Sequence, residues 1–165
     1  MPVNEIRPLI VLKSVHHHST LRVAEAMVEV MGGRIVEPVE ATAELLAEHD
    51  VIGVGSGIYY GRFHAEIRDW AAKARAANEG QKAFVLSTSG LPMLSEMYHR
   101  PLVRQLETAG FDVVAEFRCS GHDSWGPLWF FGGLHQRHPD AADLKRAREF
   151  ATALIVRVVP DDSDW

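Results

Sequence analysis

The sequence predicts an α/β domain, a five-stranded parallel sheet with helices on both faces. Two observations predict this. Short apolar runs alternate with helix-period segments five times along the 165 residues. The runs are also continuous, as strands buried on both faces are, rather than alternately apolar and polar. No internal repeat or low-complexity linker interrupts the pattern. Periodicity does not dictate strand order; 2-1-3-4-5 is common for five strands and is the order expected.

The first apolar run is Leu9–Leu12. Leu21, Ala24, Met27, Val28 and Met31 then fall on one helical face, and Gly32-Gly33 supplies a stop. "RIVEPV" reads as a second strand closed by Pro38, and "TAELLAEHD" as a brief helix. "DVIGVGSG" (Asp50–Gly57) is a third strand running into a glycine-bearing loop. Phe63, Ile67, Trp70, Ala71 and Ala74 form the next helical stripe. "KAFVLSTSG" (Lys82–Gly90) is the fourth strand. A helix lies between Ser95 and Ala109, with Pro101 obscuring its beginning and Gly110 ending it. "DVVAEFRC" (Asp112–Cys119) is the fifth strand. Leu144, Ala147, Ala151, Leu154, Ile155 and Val158 mark the last helix, with Asp140 and Asp143 at its positive end.

Residues 1–159 are read as one domain and the acidic 160–165 ("PDDSDW") as a loose tail. A formal charge of -5 argues against a nucleic-acid binder. Cys119 is the single cysteine, so no intrachain disulfide forms, which suits a reducing cytoplasm. The N-terminal apolar run is too short for a signal segment or a membrane span.

In open α/β sheets ligands bind beyond the carboxyl ends of the strands, where the strand order reverses. The order 2-1-3-4-5 puts that reversal between the first and third strands. The loops there are "SVHHHST" and "GSGIYYGRF". In the first, a helix beginning near Ser19 aims unpaired N–H groups at the crevice. Ser14, Ser19 and Thr20 add hydroxyls, and His16, His17 and His18 add N–H donors and partial positive charge. Anion binding competes there with a plain helix cap at Ser19. In the second loop, adjacent Tyr59 and Tyr60 between Gly57 and Gly61 suit stacking on a planar ligand, against the alternative of packing under the loop. Thr88, Ser89 and Gly90 end the fourth strand on the same side and suit the polar edge of a ring, or form a plain turn.

No metal site is expected. Side chains of consecutive histidines diverge, and the spaced sets Cys119 with His122, and His135 with His138, lie on another loop. That loop, Cys119–Asp140, carries Trp125, Trp129, Phe130 and Phe131 and reads as a lid, a substrate wall or a subunit contact, which keeps a homodimer open, against the alternative of a compact Ω-loop closing the sheet edge.

These residues resemble the flavodoxin family, in particular its single-domain members from bacteria and archaea. The resemblance rests on "SVHHHST", "GSGIYYGRFH" and "STSG" and spans Leu9 to about Val158. "YYGRFH" is similar to a loop of the flavodoxin-like protoporphyrinogen oxidases. The resemblance implies a three-layer flavodoxin-like fold and non-covalent FMN. Ser14, His16, His17, His18, Ser19 and Thr20 would hold the phosphate. Ser56, Gly57, Ile58, Tyr59, Tyr60 and Gly61 would lie beside the isoalloxazine, with Thr88, Ser89 and Gly90 on its other side. The chain departs from the family at His18-Ser19, where a glycine and an asparagine are usual.

With flavin bound, the chemistry belongs mostly to the cofactor. The first expectation is a redox protein passing electrons between protein or small-molecule partners. The alternative is an FMN-dependent oxidoreductase acting on a quinone-like or porphyrinogen substrate, with His64 and His122 as candidate proton donors. A third is a flavodoxin-like interaction module without flavin. A phospho-receiver is disfavoured, because "VGSG" ends the third strand without an acceptor aspartate.

Overall fold

A computed structural model of the chain describes residues 6–15, 18–90, 94–120 and 139–159. Among the described residues six strands are present: β1 (Pro8–Lys13), β2 (Arg34–Val36), β3 (Val51–Tyr59), β4 (Arg62–Phe63), β5 (Gln81–Ser89) and β6 (Phe111–Ser120). Five α-helices accompany them in the same residues: α1 (Ser19–Met31), α2 (Ala43–Ala47), α3 (Ala65–Lys73), α4 (Ser95–Thr108) and α5 (Ala141–Val158). The long strands are parallel and lie in the order β2-β1-β3-β5-β6, which is the expected order once the short β4 is set aside.

Residue parity along the strands divides the interior into two layers, because successive strand side chains point to opposite faces. Leu9, Val11, Ile52, Val54, Ala83 and Val85 pack with Ile67 of α3 and with Leu102 and Leu106 of α4. Ile10, Leu12, Phe84 and Leu86 pack with Val23 and Met27 of α1 and with Ala147, Ala151 and Leu154 of α5. On this second face β3 carries Gly53 and Gly55. A Cβ at Gly53 would lie 2.4 Å from the Phe84 ring, and one at Gly55 would lie 2.2 Å from the Leu86 carbonyl oxygen. Both glycines are therefore the space that Phe84 and Leu86 occupy.

Helix ends follow local chemistry. Thr42 caps α2, its side chain accepting from the Leu45 N–H at 3.3 Å. Asp140 and Asp143 close a reciprocal capping box at the start of α5, with bonds of 2.9 and 3.0 Å. Gly32 ends α1 with φ +73°. Pro101 lies inside α4 rather than at its boundary. Among the described residues no helix is long and apolar enough to cross a membrane.

The segment after β3 departs from expectation. "GSGIYYGRF" is a β-hairpin, not a loop: β3 continues through Tyr59, turns at Tyr60-Gly61 and returns as β4, pairing Ile58 with Phe63 and Tyr59 with Arg62. Both turn residues have positive φ, +52° and +75°, as a two-residue turn matching strand twist requires. Phe63, expected on a helical stripe, is a buried strand residue.

Candidate functional site

The start of α1 lies at the carboxyl end of β1, beside the reversal of strand order. His18 occupies the cap position in left-handed geometry (φ 52°, ψ 32°) and makes no side-chain cap bond. Ser19, the alternative cap, is already the first helical residue and is buried. The oxygen of Ser14 accepts from the Leu21 N–H at 3.1 Å, which leaves the Ser14 O–H able to donate. Each of the other four α-helices carries an acidic residue in its first turn: Glu44, Glu66, Glu96 and Asp143. Helix α1 carries none. No carboxylate in its first turn offsets its partial positive charge, and that end favours an anion.

The end of β5 closes on this helix start. Thr20 and Thr88 are both buried, and their hydroxyls meet at 2.8 Å. Ser19 and Ser89 are buried nearby in sequence, Ser89 as the last residue of β5. The start of α1 and the end of β5 are thus tied together across the sheet rim.

The hairpin supplies the third wall. Ser56 is fully buried; its O–H donates to the Gly57 carbonyl at 2.6 Å while its oxygen accepts from the His64 N–H at 2.9 Å. One hydroxyl therefore fastens the strand to the start of α3. A Cβ on Gly57 would lie 2.8 Å from the Tyr59 hydroxyl, so the absence of a side chain there lets the tyrosine fold back along its own strand. The Tyr59 hydroxyl accepts from the Val15 N–H; burial pushes its pKa above the ordinary value, outweighing that bond. Tyr60 instead projects outward, 83% exposed. Left-handed geometry costs a non-glycine residue about 1 kcal/mol or more. Tyr60→Asn, which tolerates that geometry, is expected to stabilise the chain by roughly 0.5–1 kcal/mol. A urea titration checks this, and an unchanged midpoint would refute it.

Sequence reasoning missed a chain of three side chains, the buried Ser87 of β5 and His99 of α4 and the partly exposed Glu116 of β6. The Ser87 hydroxyl lies 2.6 Å from His99 Nε2, and His99 Nδ1 lies 3.0 Å from a Glu116 carboxylate oxygen. Burial pushes the His99 pKa down to about 3, with the Arg118 guanidinium adding to the effect. The ring is therefore neutral at pH 7: Nδ1–H donates to Glu116 and Nε2 accepts from Ser87. The order serine, histidine, acid is that of a hydrolase relay. Ser87 and His99 are 1% and 0% exposed, however, so no substrate reaches the hydroxyl. The chain of bonds holds α4 against two strands.

The structure thus gathers Ser14, His18, Ser19, Thr20, Ser56, Gly57, Ile58, Tyr59, Tyr60, Gly61, Thr88, Ser89 and Gly90 at one rim of the sheet. His16, His17, His122 and Trp125 lie outside the described residues, as do residues 121–138 of the expected lid and the acidic tail 160–165. His64, a candidate proton donor, caps α3, its Nδ1 accepting from the Glu66 N–H at 3.1 Å. Among the described residues no group of three metal-ligating side chains occurs. A phosphate would meet hydroxyls and helix N–H groups at α1, and a flat ring would meet a tyrosine and backbone. The residues present fit a nucleotide in kind.

No family model matches the sequence. The uncharacterized protein MJ0298 of Methanocaldococcus jannaschii is 35% identical over 150 residues, covering 91% of this chain and 99% of that protein. Among solved structures, oxidised flavodoxin 2 from Bacillus cereus superposes with a TM-score of 0.66 at 17% identity, covering 92% of this chain and 99% of that one. General stress protein 14 from Treponema denticola, solved in complex with FMN, gives 0.63 at 14% identity over the same shares. The fold is flavodoxin-like.

Proposed function

We propose, for a chain that belongs to one family with the uncharacterized protein MJ0298, that it binds FMN at the rim described above. In this reading it serves as a redox protein, passing electrons between protein or small-molecule partners. One observation carries the reading: the α1 N-terminus, without an acidic residue in its first turn, sits with its own hydroxyls and that of Thr88 of β5 at the reversal of strand order. Ser14, Ser19 and Thr20, with the imidazoles of His16, His17 and His18, would receive the phosphate. The hairpin from Ser56 to Gly61 would line one face of the ring, and Thr88, Ser89 and Gly90 its polar edge. The bound flavin would supply the electron chemistry; these side chains would position it and set its electrostatic surroundings. The B. cereus and T. denticola structures support the ligand class through the fold they share with this chain.

A second reading, a flavodoxin-like module without flavin, is favoured by the mutual bond of Thr20 and Thr88 and by the Val15 N–H already serving Tyr59. Absorbance and native mass of the purified full chain separate the two. Flavin absorbance and the mass of one FMN per chain are expected. A colourless protein that also fails to take up added FMN would overturn the proposal. Tyr59→Ala combined with Tyr60→Ala is expected to weaken FMN binding about tenfold, from lost stacking. Unchanged affinity would remove the stacking role.

A further inference from the structure

The outer flank of the hairpin borders an open groove of about 660 Å³, bounded by Val15, the hairpin and the first turns of α3. That volume is within the range of small-molecule sites. Among the described residues its lining contains no carboxylate, and its charged side chains are Arg62 and Arg68. The Nε of Arg68 donates to the Phe63 carbonyl at 3.2 Å, which fixes the base of its guanidinium fork. Because His64 Nδ1 accepts from the Glu66 N–H, the neutral ring carries its proton on Nε2 and offers a donor. Glu66, next along α3, is paired with Lys13 at 3.3 Å. Tyr59 meets the His64 ring edge-on, with centroids 5.8 Å apart, and Tyr60 stands exposed beside them. On a chain whose net charge is -5, this cationic groove runs against the average.

Guanidinium forks select carboxylates by paired hydrogen bonds, and aromatic walls select flat rings. We propose that this groove is a second binding site, for a planar aromatic carboxylate. Tyr59 lines this groove and ends β3 at the rim of the sheet. The inference does not depend on FMN: Arg62, His64 and Arg68 take no part in the nucleotide reading, and the hairpin tyrosines border both sites.

Calorimetric titration of the full chain with 2-naphthoate, and separately with uncharged 2-naphthamide, tests the proposal at low salt. The carboxylate is expected to bind about tenfold tighter than the amide. The combined Arg62→Gln and Arg68→Gln variant, checked for native circular dichroism, is expected to lose that preference. Saturating FMN is expected to leave 2-naphthoate affinity within about twofold. Equal binding of carboxylate and amide, no binding of either, or an arginine-independent preference would overturn the site. Competitive displacement by FMN would also overturn it, by making the groove part of the nucleotide site. If 2-naphthoate binds as expected and FMN does not bind at all, the groove stands and the proposed function falls.

Discussion

Acidification from pH 6.5 to about 3 is expected to weaken the folded chain by on the order of 4 kcal/mol through His99 alone. Burial holds the imidazole neutral in the folded state down to about pH 3, whereas in the unfolded chain it takes a proton near 6.5. Between those values the unfolded state binds the extra proton, so stability falls as pH falls, and the loss saturates below the folded value. Three neighbours enforce neutrality. Ser87 offers Nε2 a proton, Phe63 packs its ring 5.2 Å from the imidazole, and Arg118 adds positive charge nearby. Glu116 alone would favour a charged ring, but its side chain is about one-third exposed and screened. Urea unfolding at several pH values, on the native chain and on His99→Gln, separates this effect from that of surface carboxylates. The variant is expected to be less stable at pH 7 and to show a shallower slope between pH 6 and about 4. Parallel slopes would show that His99 titrates normally in the folded chain.

Gly55→Ala is expected to cost about 3 kcal/mol or more and to leave the chain largely unfolded at 37 °C. The added Cβ would lie 2.2 Å from the Leu86 carbonyl oxygen and 2.6 Å from Leu86 Cγ. The side chain could rotate, but the carbonyl belongs to a neighbouring central strand paired with β3 at this residue. Relief therefore requires moving backbone in the middle of the sheet. Gly80→Ala is the control. It carries a positive φ of +79°, which Gly55 does not, and has nothing within 4 Å, so only the backbone cost of about 1 kcal/mol applies. Thermal unfolding of the two variants should therefore differ widely. Similar midpoints would mean that the sheet yields more readily than close packing allows.

Much of this architecture is legible in the residues themselves. Runs such as Leu9–Leu12 and Ala83–Leu86 are continuous because both faces of their strands are covered, and that signal survives without any neighbour in view. The rim follows from strand order and the positions of hydroxyls and glycines. The hairpin is harder to read. Its turn is Tyr60-Gly61, and a tyrosine with positive φ is not the asparagine or aspartate that announces such a turn. The signal that could have found it is the flanking pair, with Ile58 and Phe63 equidistant from the turn. The bonds among Ser87, His99 and Glu116 leave no local trace, because the partners are 12 and 17 residues apart and meet only when β5, α4 and β6 assemble. The groove between Arg62 and Arg68 is hidden for a related reason, since its shape depends on the hairpin.

Thr20 and Thr88 bring two hydroxyl protons to a contact that uses one. Either oxygen can be the giver, so the surplus hydrogen belongs to the helix in one arrangement and to the strand in the other. Exchanging them takes two torsional rotations and displaces no carbon, nitrogen or oxygen. The rim thus has a polarity that reverses without rebuilding the wall around it.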